Sequence, residues 1–129
     1  MYSSPCLEIK SEEFIGAPAL EFYFKGKLSL DMSRQATAAW SQFIEENATT
    51  SYLFIWDCME MTGFEMAARR EWLSALTKTI GHIKKVIIIS DNMLIRGSAR
   101  LMLKLLNVQV EIYKSNQELM ISPFGRYLA

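Results

Sequence analysis

Two carboxylates follow two short apolar runs, and they are the first candidates for chemistry in this chain. Asp57 comes directly after Tyr52–Trp56, and Asp91 follows Val86–Ile89 with one residue between. Carboxylates at the ends of buried strands can serve as acids, bases or metal ligands. A metal site needs further ligands, and the sequence has no cluster of His or Cys to supply them. We therefore expect both carboxylates to accept hydrogen bonds from nearby amides, and we predict no metal site and no cofactor.

Catalysis by a nucleophile and a base has equally little support in the sequence. His82 is the only histidine, and it stands after Gly81 with no evident nucleophile near it. A capping or surface role suits this residue better than base catalysis. The sequence therefore predicts no catalytic residues, and we expect the protein not to be an enzyme.

The segment Thr62-Gly63-Phe64-Glu65 has the spacing of a helix capping box. In such a box the threonine hydroxyl accepts from the third amide of the helix, and the glutamate carboxylate accepts from the backbone N–H of the threonine. Met66, with Met61, stands where a hydrophobic staple would lie. We expect the box to be structural, while a functional role for Thr62 and Glu65 stays open.

Basic residues recur at helical spacing later in the chain. Arg96, Arg100 and Lys104 lie four apart, so they form one row along a helix. Arg69 and Arg70 form a second, weaker basic spot. The row is either a solvated helix face or an anion-binding stripe for the acidic patch of a partner or a lipid headgroup.

The elements that must position these residues can be read from periodicity. The pattern predicts strands at Cys6–Lys10, Leu20–Lys25, Tyr52–Trp56, Val86–Ser90 and Val108–Tyr113, with a helix after each strand from the second onward. The first two strands form an edge hairpin, and Asp91 or Asn92 caps the third helix. The fold class is α/β: a single domain over residues 1–129, with a mostly parallel sheet of four to five strands. Right-handed crossovers put the helices mainly on one face, and the aromatic tail Phe124–Ala129 is expected to fold back on the domain.

Composition narrows the class of protein further. The 129 residues carry 14 basic and 14 acidic side chains, so the formal net charge is zero. Nucleic-acid binding depends on excess positive charge and is not expected.

No stretch reaches the roughly twenty apolar residues of a membrane helix, and no signal peptide is evident, so we expect a cytoplasmic protein. Zero net charge also favours self-association, such as a homodimer.

The order of elements and the segment Asp57–Glu65 resemble the STAS superfamily, typified by anti-sigma-factor antagonists of the SpoIIAA type. The stretches Glu65–Trp72 and Asn92–Arg100 also look like uncharacterised bacterial members of that group. The resemblance implies a SpoIIAA-like fold and a phosphorylatable residue at the start of the helix after the central strand. Counting from Asp57 places Met66 there, which cannot be phosphorylated. Aligning on the helix start places Thr62 there, where a phosphate would meet free helix amides.

Two hypotheses follow for function. The first is a non-enzymatic bacterial regulatory module that binds a protein partner, such as a regulator, a kinase or a membrane protein. The second is a small carrier of a lipid or other apolar ligand, because aromatic and Met side chains could line a pocket. The predicted partner-binding residues, with Thr62 also the candidate for phosphorylation, are Asp57, Thr62, Glu65, Met66, Arg69, Asp91, Arg96 and Arg100.

Overall fold

The computed structural model describes residues 1–121 as one mixed sheet with four α-helices. The strands are β1 (Tyr2–Ser4), β2 (Leu7–Phe14), β3 (Ala17–Leu28), β4 (Tyr52–Phe64), β5 (Ile83–Ile89) and β6 (Val110–Tyr113). The helices are α1 (Leu30–Glu46), α2 (Met66–Thr79), α3 (Met93–Leu105) and α4 (Asn116–Ile121), with a single 3₁₀ turn at Ile80–His82. The predicted tail segment Phe124–Ala129 lies outside the described residues.

The strands follow one another across the sheet in chain order, from β1 to β6. The pairs β1–β2 and β2–β3 are antiparallel, and β3–β4, β4–β5 and β5–β6 are parallel. The predicted hairpin is therefore confirmed, with Ile9 opposite Phe22. The predicted parallel pairing of the two apolar runs is also confirmed, because Phe54 lies opposite Val86 and Trp56 opposite Ile88. The sheet has six strands rather than four to five, because the three residues of β1 are too few to show alternation in sequence.

Helices α1, α2 and α3 cover one face of the sheet and bury an aromatic core against it. The ring centroid of Phe22 lies 5.2 Å from that of Phe54 and 5.7 Å from that of Trp72. The indole Nε1 of Trp72 donates to the buried Ser33 Oγ at 3.0 Å, which joins α2 to α1. Right-handed crossovers between neighbouring parallel strands place their helices on the same side, as the sequence predicts.

The opposite face of the sheet carries a smaller apolar cluster. Side chains alternate along a strand, so Leu53 and Ile55 point away from the aromatic core. They pack with Ile87, Ile89 and Ala19 beneath Leu119 of α4. Part of this face is thus covered by the C-terminal helix, and Asp57 belongs to the same face.

The central strand β4 is much longer than its apolar run indicates, and the predicted capping box is wrong. Residues after Asp57 continue as strand because they pair with the second half of β3, where Lys25 lies opposite Glu60 and Leu28 opposite Phe64. The helix α2 begins at Met66, and its N-cap residue Glu65 makes no side-chain cap hydrogen bond. Non-local strand pairing therefore overrides a local pattern that is typical of a helix start.

Candidate functional site

A small cavity lies where α2 and α3 diverge over the long strand β4. Its volume is about 60 Å³, and its wall is almost entirely apolar. Trp56, Met61 and Phe64 line it from β4, and Ile95 and Met102 line it from α3. Because β5 pairs with β4 only as far as Asp57, these β4 side chains lie largely beyond the end of β5. The extension of β4 therefore builds one wall of the cavity.

Two buried N–H groups on residues of the cavity wall have no hydrogen-bond partner among the described residues. They are the Nε of Arg69 and the Nε1 of Trp56, whose residues both line the cavity. A third such atom, Nε1 of Trp40, belongs to a residue outside the lining. Leaving a buried donor unpaired costs about 1–3 kcal/mol, so native structures usually satisfy such groups. Both residues line the cavity, but neither nitrogen is exposed at its surface, which is almost entirely apolar.

Cys58 also lines the cavity, and it behaves as an apolar side chain. Burial raises the pKa of its thiol far above the usual value, and the negative charge of the neighbouring Asp57 adds to the shift. A neutral, buried thiol is a poor nucleophile. The cavity therefore offers no reactive group to a bound molecule through this residue.

The outer face of α3 exposes a row of large apolar side chains. Met93 is 84% exposed, Leu94 83%, Leu101 53% and Leu105 69%. The side chains of Leu94, Leu101 and Leu105 recur at seven and four residues, so they lie along one side of the helix. We call these four residues the α3 outer row. Apolar side chains that are grouped in this way on a surface mark interaction sites.

The α3 outer row is bordered by positive charge. Arg100 and Lys104 are exposed on the same helix, and α3 contains no acidic residue. Neither of the salt bridges found among residues 1–121 involves α3. The helix begins at Asn92, whose Oδ1 accepts from the Leu94 and Ile95 amides at 2.9 and 3.2 Å, so the predicted cap at this position is confirmed.

The predicted site residues lie in several separate parts of the structure. Arg69 lines the cavity, Arg96 and Arg100 lie on α3, and Asp91 is exposed in the loop that leads to α3. Met66 is 57% exposed as the first residue of α2. Thr62 is exposed within β4 and not at a helix start.

Two predicted residues have structural partners that explain their positions. Asp57 is buried on the face opposite α2 and α3, where its Oδ1 accepts from the Met59 amide at 3.1 Å and its Oδ2 from Asn116 Nδ2 at 3.5 Å. The structure therefore separates Asp57 from Arg69 by the thickness of the sheet. Glu65 Oε1 accepts from the Leu30 amide at 2.7 Å, so this carboxylate makes its hydrogen bond at the start of α1 and caps no amide of α2.

Among solved structures, the chain is similar to an uncharacterised protein of the DUF3478 family from Shewanella loihica PV-4, which is described as having a SpoIIAA-like fold. The TM-score is 0.72, and the match covers 91% of this chain and 94% of that one at 20% identity. The fold is SpoIIAA-like. The resemblance drawn from the sequence is thus confirmed at the level of fold. No family model matches the chain, and no curated protein matches it either.

Within this SpoIIAA-like fold, sequence reasoning missed the α3 outer row and did not locate the cavity. A signal for the row was present, because α3 has apolar residues on both sides of its helical wheel. Ile95, Met102 and Leu103 are buried, and Leu94 and Leu105 lie outside that buried stripe and are exposed. The aromatic and Met content indicated a pocket, but not its position, which depends on the spacing of α2 from α3. No helix of residues 1–121 combines the length and apolar character that crossing a membrane requires.

Proposed function

We propose that this protein is a non-enzymatic regulatory module that binds a protein partner through α3, in the cytoplasm of a bacterium. The observation that carries the proposal is the α3 outer row, with four large apolar side chains at least half exposed. Burying such side chains against a partner is favourable by about 25 cal/mol for each Å² of apolar surface removed from water. The SpoIIAA-like fold supports the class of module but does not name the partner.

Charge and shape define the kind of partner. Arg100 and Lys104 border the row, and no carboxylate on α3 neutralises them. Gly97 lies between Leu94 and Leu101 in sequence, and a Cβ placed on it would meet nothing within 4 Å. This open position lets a second helix approach closely. The partner segment that fits is an amphipathic helix with apolar residues on one side and Asp or Glu beside them.

The predicted phosphorylation of Thr62 stays a prediction. Its side chain is exposed, as recognition by a kinase requires, but the structure puts it in β4 rather than on free helix amides. A phosphate there would add negative charge two positions before the end of β4. Intact-mass analysis of protein purified from its natural host tests this prediction, and a uniformly unmodified mass would contradict it.

Retention of a partner from a lysate of the source organism tests the proposed function. We expect immobilised protein to retain a specific partner at micromolar concentration, and Leu101→Asp to lose it, because the new carboxylate would meet the acidic partner at the centre of the row. Ser74→Asp is the matched control, since it adds the same charge on the exposed surface of α2. Retention should also weaken as salt rises. Equal retention by Leu101→Asp and the wild type would contradict the proposal, as would a wild-type protein that retains nothing.

A second candidate function is a small carrier of an apolar ligand, and the cavity between α2 and α3 favours it. Its apolar wall suits a ligand that leaves water, although its volume of about 60 Å³ limits the ligand to a small group. Native mass spectrometry of freshly purified protein tests this function. An added mass that disappears on denaturation supports the carrier, and a bare chain counts against it.

A further inference from the structure

We propose that two copies of this chain pair through the outer edge of β6, in an antiparallel register that sets Val110 of one copy opposite Val110 of the other. The occupant of this edge is thus a second copy of the chain, related to the first by a two-fold axis. The inference goes beyond the proposed function, because the α3 outer row takes no part in the contact.

The strand β6 (Val110–Tyr113) is the last strand of the sheet among residues 1–121. The Tyr113 carbonyl accepts from the Ser90 amide at 2.9 Å, so Tyr113 directs its backbone groups towards β5. Neighbouring residues of a strand direct theirs to opposite sides, so the N–H and C=O groups of Val110 and Ile112 point away from β5. Neither N–H finds an acceptor among the described residues. Such an edge is a template for another strand.

The strand β6 lacks several features that usually keep an edge strand from pairing. Those features are Pro, Lys and β-bulges. The strand contains neither Pro nor Lys, and its register with β5 is unbroken. Its one charged residue is Glu111, whose Oε1 lies 3.4 Å from the Nζ of Lys85 on β5. This ion pair offsets the negative charge, so the strand itself presents little net charge to a second copy.

The segment around β6 is complementary to itself in the proposed register. With Val110 opposite Val110, Val108 lies opposite Ile112 of the other copy, and all three residues are β-branched. Such residues pair favourably across strands. Their side chains are partly buried at the margin of the aromatic core, so a second copy would continue that apolar layer. The Val110 and Ile112 N–H groups would then donate to the Val110 and Val108 carbonyls of the other copy.

Charge selects this register over its neighbour. In the proposed register Gln109 lies opposite Glu111 of the other copy, and an amide can donate to a carboxylate. A register centred on Glu111 would set the two Glu111 carboxylates directly opposite each other, which is unfavourable. The self-complementary arrangement of these residues is what identifies a second copy as the occupant.

Amide hydrogen exchange at several protein concentrations tests the contact without any substitution. Because β6 is short, we expect a weak dimer with a submillimolar dissociation constant. Exchange at Val110 and Ile112 should slow about threefold between roughly 20 µM and 1 mM protein, as the dimer becomes populated. Exchange at Glu111 and Tyr113 should be slow at every concentration, because their N–H groups face β5.

Two charge variants of Gln109, which is exposed, test the register. Gln109→Glu sets like charges opposite Glu111 of the other copy, and Gln109→Lys sets opposite charges there. We expect the dissociation constant, measured by analytical ultracentrifugation, to be roughly tenfold higher for Gln109→Glu than for Gln109→Lys. Ser74→Glu and Ser74→Lys are the matched controls, since Ser74 is exposed on α2, and they should not differ.

Three results would overturn the proposal. The first is a monomeric mass at 1 mM, and the second is a dimer in which exchange at Val110 and Ile112 does not depend on concentration. The third is a mass that rises beyond that of a dimer, because pairing β6 with itself uses up this edge. Equal dissociation constants for the two Gln109 variants would overturn the register.

Discussion

Glu65 joins three elements at one point. Its side chain accepts from the Leu30 amide at the start of α1, and its own N–H donates to the Leu28 carbonyl at 2.9 Å at the end of β3. Its carbonyl accepts from the Arg69 amide at 3.1 Å in the first turn of α2. A carboxylate near the N-terminus of α1 is also favourable to the helix dipole. One residue thus holds the starts of two helices against the sheet.

This arrangement predicts effects of different size for two alanine variants in the same segment. We expect Glu65→Ala to lower the free energy of unfolding by about 1–2 kcal/mol, because the Leu30 amide loses a charged acceptor. Thr62→Ala should change it by less than about 0.5 kcal/mol, because Thr62 is exposed and caps no helix. Chemical denaturation measures both values. A larger loss of unfolding free energy in Thr62→Ala than in Glu65→Ala would support the capping box and contradict the structure.

Glu21 is the residue with the clearest dependence on pH. Burial is the largest cause that raises its pKa from 4.5 to about 7, followed by the hydrogen bond and the negative charge of Glu12 and by the charge of Asp57. Lys10, which lies opposite on β2, acts in the other direction. The folded protein therefore binds this proton more tightly than the unfolded chain does.

That difference predicts a loss of stability with rising pH. Below about pH 4.5 both states are protonated at Glu21, and above about pH 7 both are ionised, so the contribution of this group falls between those values. We expect Glu21→Gln to remove that fall and to be more stable than the wild type at pH 8, with little difference near pH 4. Denaturation midpoints between pH 4 and pH 8 measure this difference in stability. Glu13→Gln is the control, because Glu13 is exposed on β2. Parallel pH profiles of the wild type and Glu21→Gln would contradict the conclusion that Glu21 causes this loss of stability.

At the scale of elements, α3 has two apolar faces with different roles. Leu103 is fully buried in the core, and Leu105 is 69% exposed in the α3 outer row. We expect Leu103→Ala to lower the free energy of unfolding by about 2–5 kcal/mol through the cavity it leaves. Leu105→Ala should lower it by less than about 0.5 kcal/mol, because little of its surface is buried. Thermal or urea denaturation of the pair measures this, and equal losses would show that the row is part of the core.

The strand β4 shows where local sequence stops determining an element. Its apolar half, Tyr52–Trp56, is evident because both faces of the strand are buried. Its second half contains Gly63, which weakens a strand, and Thr62, which with Glu65 has the spacing of a helix cap. These residues adopt strand geometry because β3 is long enough to pair with them, with register shifts at two places. The length of a partner strand cannot be read from the strand itself.

At the scale of the whole molecule, zero net charge predicts self-association. The sequence pI is about 6.6, so little net charge opposes contact between copies near neutral pH. We expect light scattering to show a mass that rises with protein concentration towards a homodimer. Leu101→Asp should leave that mass unchanged, because Arg100 and Lys104 of two copies would repel each other if their α3 outer rows met. A monomer at every concentration would contradict the prediction, and a monomeric Leu101→Asp beside a dimeric wild type would assign the contact to α3.

The sequence alone predicted the α/β class, the parallel pairing of the two apolar runs and the edge hairpin, and its resemblance to the STAS superfamily implied the SpoIIAA-like fold. The first three features depend on periodicity and on apolar burial, which each segment of chain carries within itself. Only the tertiary structure decided that Asp57 and Arg69 lie on opposite faces, that Glu65 serves α1, and that α3 exposes its row of leucines beside a cavity. Those features depend on how far one element extends beyond its neighbour and on which side of a helix the sheet covers. Both are set by contacts between residues distant in the chain.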